Sequence, residues 1–194
     1  MRGKASHKSW RFWLDLYACF VIPAYTLLFA GQDWFHTNFS VLAAKGETYY
    51  YGVLLWGLIV GGYFLAVMLS LTASVQNVRL YRLISGLVVL ACACLLYGLV
   101  IPYLPSLSPR HARLHVRLVF CACVLMMAAL LAVLLACWRR EKRKYLPLLL
   151  CWSGIAAVSV LLLLLVGKVC SGLEVFFTLS SAFLVRSLRI KRGG

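Results

Sequence analysis

Six ionisable residues stand apart in this chain: Asp33, His36, His111, His115, Lys168 and Glu174 lie away from the clusters that hold most of its charge. Glu174 is the sharpest of them. It sits in Gly172-Leu-Glu-Val-Phe-Phe, six residues after Lys168, near the start of an apolar run. An acid at membrane depth is costly and faces either a partner or a cavity. One reading gives it an ion pair or hydrogen bond with Lys168, His115 or Arg117. The other makes it a proton-transfer group or ligand beside His115 and Ser40. His111 and His115 are four apart and share a helix face, the spacing of zinc ligands. Asp33, His36 or Glu174 would have to complete that coordination. Zinc is the one cofactor this pattern admits.

The element carrying the histidines can be placed from its first residues. Ser108 suits a helix N-cap and Pro109 the first helical position, so a helix is expected over 109–138. Its length would be about 45 Å at 1.5 Å per residue, which leaves its first turns in the membrane interface. Arg110, Arg113 and Arg117 share another face of that helix, and guanidinium groups so arranged suit lipid phosphates. Asn38 and Lys168 are the further candidate polar contacts for such a ligand. The segment Asp33-Trp-Phe-His-Thr-Asn-Phe-Ser40 alternates polar with aromatic residues, as expected at an interface. Its Asn38-Phe39-Ser40 also matches a glycosylation acceptor pattern.

The elements that must position these groups follow from composition. Of 194 residues, 63% are hydrophobic, more than a soluble domain of this size can cover. Six runs qualify as spans of roughly 20 residues: 13–30, 53–73, 83–103, 114–138, 145–166 and 169–185. The first reads as a retained anchor, with Asp15 and Pro23 inside it and no small-residue cleavage site. Twenty Lys and Arg face five Asp and Glu. Fifteen of the twenty lie at the N-terminus, around residue 80, at 139–144 and at the C-terminus; Lys45, Arg110, Arg113, Arg117 and Lys168 lie opposite. Fifteen against five places both termini in the cytoplasm, and an even number of spans agrees. The expected fold is therefore all-α, a single six-transmembrane-helix bundle over residues 1–194. The +15 net charge flanks apolar runs in short clusters, a pattern of membrane anchoring and not of nucleic-acid binding.

Other conspicuous residues read as packing. The Cys92/Cys94 and Cys121/Cys123 pairs point about 200° apart on a helix, so neither converges on one ion, and buried cysteine is usually a small hydrophobe. Gly57 and Gly61 form a small-residue face that lets a helix approach closely, either within the bundle or in a homodimer. Asp15 follows Arg11 by four residues and is spaced for a local ion pair.

Three segments together carry a resemblance: His36-Thr-Asn-Phe-Ser40-Val-Leu-Ala, then Ile101-Pro-Tyr-Leu-Pro105 with Leu114-His115, then Gly172-Leu-Glu174. In order and placement they resemble a six-helix bacterial and archaeal membrane protein family of unknown function. That family is distantly similar to the DRAM/Sfk and GPI-anchor-remodelling membrane proteins. The chain departs from the pattern at Val175, where a basic residue is usual, and at Ala43, where glycine is. The resemblance implies a six-helix, multi-pass protein of the bacterial cytoplasmic membrane, with Ser40, His115 and Glu174 near the outer face.

Three functions remain open on these residues. The first is an enzyme acting on a lipid or lipid-linked substrate at the outer leaflet, with Ser40 as nucleophile or substrate ligand, His115 as base, and Glu174 or Asp33 orienting it. No Gly-x-Ser-x-Gly turn accompanies Ser40. The second is a non-catalytic lipid-binding scaffold or sensor, whose polar network ties helices together. The third is a small proton-coupled transporter with Glu174 and His115 titrating. Membrane lipids are the expected partners in each.

Overall fold

The computed structural model describes residues 10, 12–30, 33–73 and 75–193. Among them there is no strand. The helices are α1 (Phe12–Leu28), the short α2 (Phe39–Ala43), α3 (Glu47–Thr72), α4 (Val78–Val100), α5 (Pro109–Trp138), α6 (Lys142–Val166) and α7 (Ser171–Gly193). Four of them, α3 to α6, are long and apolar enough to cross a membrane. They point to an integral, multi-pass membrane protein. α1 and α7 fall short of that measure: α1 is a shorter apolar helix, and α7 carries Glu174 near its start and Lys191 and Arg192 in its last turn.

Local chemistry explains where these helices bend and stop. In α1 the turn over Tyr17–Val21 widens to π geometry, with the Ile22 N–H donating to the Tyr17 carbonyl. Pro23 follows directly. Its ring crowds the preceding turn and it has no N–H to return, so a widened turn relieves the clash. α4 begins at Asn77, whose side chain accepts from the Leu80 N–H at 3.1 Å. α5 runs over the expected residues, but the Ser108 hydroxyl bonds the His111 ring at 2.5 Å and caps no backbone group. α6 ends at Gly167, whose φ of 72° is left-handed and favours glycine.

α3 packs on α4, α4 on α5, α5 on α6 and α6 on α7, and α7 closes onto α1 and α3. The core between them is apolar and includes Ile22, Val67, Met68, Ile84, Leu130 and Val185, all essentially inaccessible. Gly57 and Gly61 are buried against Leu99 and Leu95 of α4, and the Cys92 thiol reaches the Gly61 carbonyl. The small-residue face is thus occupied inside the chain. All eight cysteines are free thiols.

The two ends of the bundle differ in chemistry. At one end Asp15 of α1 accepts from Arg186 at 2.9 Å and Arg189 at 2.5 Å, both on α7. Arg11 lies outside the described residues, and the partners Asp15 does have come from 171 and 174 residues further along. Arg192 donates to the Leu71 carbonyl at the end of α3 at 2.6 Å, where the helix dipole favours a cation. Lys191 donates to the Lys144 carbonyl. The opposite end holds the loops before α2 and α5 and the α6–α7 turn.

Candidate functional site

At that opposite end, α2 is positioned by three separate anchors. The Phe39 ring is 2% exposed and packs edge-on against Trp56 and Phe29. Asn38 caps the helix: its side-chain oxygen accepts from the Val41 N–H at 2.8 Å, and its amide donates to the Val169 carbonyl at 3.2 Å. Glu174, from the first turn of α7, accepts from the Phe39 N–H at 2.8 Å. Two of the amides a helix leaves unpaired at its N-terminus are thereby satisfied, one by the Glu174 side chain.

The preceding loop is stitched to the start of α7. The Thr37 carbonyl accepts from both the N–H and the hydroxyl of Ser171, and the Trp34 carbonyl accepts from the Gly172 N–H at 2.8 Å. Lys168 donates to the His36 carbonyl at 3.1 Å.

These anchors hold Ser40, half-buried on α2, with its Oγ 2.7 Å from Nε2 of His115 on α5. His115 is 4% exposed and lies beside the Tyr103 ring. Its Nδ1 faces two carbonyl oxygens, Gly98 at 2.7 Å and Ile101 at 2.9 Å. Carbonyls only accept, so Nδ1 carries a proton; in the neutral ring this leaves the Nε2 lone pair facing Ser40. The serine hydroxyl then donates to His115, an arrangement in which a base can take the proton of a nucleophile.

The carbonyls that set this tautomer are freed by a sequence feature. Pro102 has no N–H, so the Gly98 carbonyl lacks its ordinary donor four residues on. It accepts only a 3.2 Å bond from the Ile101 N–H besides the imidazole. Ile101 is extended, as a residue before proline prefers, and α4 ends there. Gly98-x-x-x-Pro102 followed by His115 was the readable signal for this contact, and attention to side chains alone passes over it.

The other expected site residues are distributed differently. Glu174 meets neither Lys168, Arg117 nor His115; its observed partner is a backbone amide, and the imidazole is oriented by carbonyls. Asp33 also lies away from His115, with its carboxylate 2.7 Å from the His36 ring and its carbonyl accepting from Thr37. His111 and His115 share the helix but differ in surroundings: His111 is exposed and bonded to Ser108, whereas both nitrogens of His115 are engaged. Among the described residues no group of three or more His, Cys, Asp or Glu side chains gathers as a metal site. Arg110, Arg113 and Arg117 line a shallow surface pocket with His111 and Leu114. Arg113 and Arg117 flank His115 by two residues on either side, so they project about 200° away from it.

No family model, curated protein or solved structure matches the chain.

Proposed function

We propose that this chain is a six-span membrane protein of the bacterial cytoplasmic membrane with both termini inside. In this reading it acts on a lipid or lipid-linked ester at the outer leaflet. The observation that carries it is the 2.7 Å contact between Ser40 Oγ and an imidazole nitrogen whose lone pair is directed at it. Ser40 attacks the ester carbonyl, its proton passes to Nε2 of His115, and the imidazolium returns that proton to the departing alcohol. Water then releases the acyl group by the same route. Two carbonyl dipoles take the place of a carboxylate behind the ring, so the imidazolium is stabilised less than in a full triad. Glu174 is the positioning residue in this reading: it holds the helix that carries Ser40. The resemblance of these segments to the six-helix membrane family agrees with the placement.

A second reading has an observation of its own. His115 is buried with every polar atom satisfied, and Glu174 is bonded to backbone, as in a purely structural tie between α2, α4, α5 and α7.

A fluorophosphonate probe applied to membranes containing the full chain separates the two. Covalent labelling that disappears in Ser40→Ala and falls at least about a hundredfold in His115→Gln is expected, the contribution of a positioned base. Absence of labelling in folded protein, with Ser40→Ala only lowering the melting temperature, would establish the structural tie and end the enzyme reading.

A further inference from the structure

We propose that the outward face of α5 is a binding site for an anionic phospholipid, separate from the Ser40–His115 pair and independent of its chemistry. The first ground is charge. The chain has five acidic residues in all. Asp15 is held by Arg186 and Arg189, Asp33 by His36 and Glu141 by Lys144, and Glu174 accepts from Phe39. The fifth, Glu47, stands exposed in the first turn of α3, and no ion pair among the described residues joins it to α5. Arg110, Arg113 and Arg117 therefore crowd one pocket with no counter-charge among the described residues. Arg110 also stands in the first turn of α5, at the positive end of its dipole, where a cation is disfavoured. An anion from outside relieves both effects, and a planar guanidinium pair fits phosphate oxygens bidentately.

The second ground is the surface that continues from the arginines. At helical spacing, Arg113 and Arg117 are followed on the same face by Phe120 and Val124, which are 53% and 51% exposed. Beside them Leu114 is 40% exposed and forms part of the pocket. A charged head above an exposed apolar stripe matches a phosphate carrying acyl chains, and a free phosphate would leave that stripe unused. The adjoining pocket, where Tyr103 and Pro105 face Arg113 and Arg117, gives the headgroup a second wall. Arg113 and Arg117 project about 200° away from His115 on α5, while Tyr103 borders both this pocket and the imidazole.

The test is a titration of tail-labelled phosphatidylglycerol onto the purified full chain in neutral detergent at low ionic strength. Binding should be at least tenfold tighter than for tail-labelled phosphatidylcholine. It should weaken about 30-fold in Arg113→Gln/Arg117→Gln, from roughly fivefold per basic residue near an anionic surface. Millimolar inorganic phosphate should not displace the lipid. Unchanged affinity in the double variant, equal binding of both lipids, or displacement by inorganic phosphate would each overturn the proposal. Both substituted residues are exposed, so the variant should keep its fold and any Ser40 labelling. Loss of lipid binding with labelling intact separates this site from the serine chemistry.

Discussion

A histidine with both nitrogens engaged has its protonation geometry decided by its neighbours. His115 shows this: carbonyls on one side require a donor there, which leaves an acceptor for Ser40. Glu174 poses the complementary question at the residue scale, since it touches an amide and no reacting group. Glu174→Ala leaves the Phe39 N–H without its acceptor and should destabilise the protein by about 1–3 kcal/mol. Glu174→Gln keeps an oxygen at that position to accept from Phe39 and changes only the other half of the group, which should cost about 1 kcal/mol or less. Thermal unfolding in detergent should therefore rank wild type above Gln above Ala. A Gln variant as stable as wild type but without Ser40 labelling would give the carboxylate a chemical task and refute the purely positioning role.

At the scale of elements, the site depends on how closely α4 and α5 approach. Gly98 supplies a carbonyl to His115, and a Cβ there would lie 2.9 Å from the Val119 side chain and 3.4 Å from its backbone nitrogen. The close atom is a methyl of β-branched Val119, which has little rotamer freedom in a helix, and Leu118 Cβ would lie 3.3 Å away, so Gly98→Ala should press α4 away from α5. Overpacking of this kind costs about 1–3 kcal/mol. If the Ser40–His115 pair is catalytic, probe labelling should fall by at least about tenfold in a variant that is still folded, since a base must keep its hydrogen-bond reach. Labelling unchanged in folded Gly98→Ala would mean that the carbonyl does not govern the imidazole. The short α2 makes a similar point. Five residues are too few to be helical alone, so Phe39 packing and the Asn38 and Glu174 caps must hold it.

At the scale of the whole molecule, the bundle segregates its charge. Arg186, Arg189 and Arg192 on α7 meet α1 and the end of α3, while α2 and the α6–α7 turn gather at the far end. The six-span reading makes a topological prediction. A fluorescent protein fused after residue 194 should fold in the cytoplasm, and alkaline phosphatase inserted after Lys45 or Ser106 should be active outside. Phosphatase activity from a C-terminal fusion would invalidate both the span count and the orientation. The four long apolar helices would still stand, because they rest on length and composition.

Much of this protein was legible from its residues. The helical class, the helix over 109–138 and the close approach at Gly57 and Gly61 all follow from hydropathy, proline and glycine placement, which are local properties. Ser40 and His115 were grouped as candidates from the residues and again by the resemblance, and their contact lies across 75 residues of chain. The partners of Glu174 and Asp15 were not legible: a carboxylate in a sequence does not say whether it will meet a lysine, an arginine 174 residues away or a backbone amide. That choice is made by packing. The side chains that fill the core set the depth and rotation of each helix, and only then does a polar group meet the partner that it must find to leave water. Composition determined that the chain forms apolar helices; tertiary structure decided which polar atoms meet at their ends.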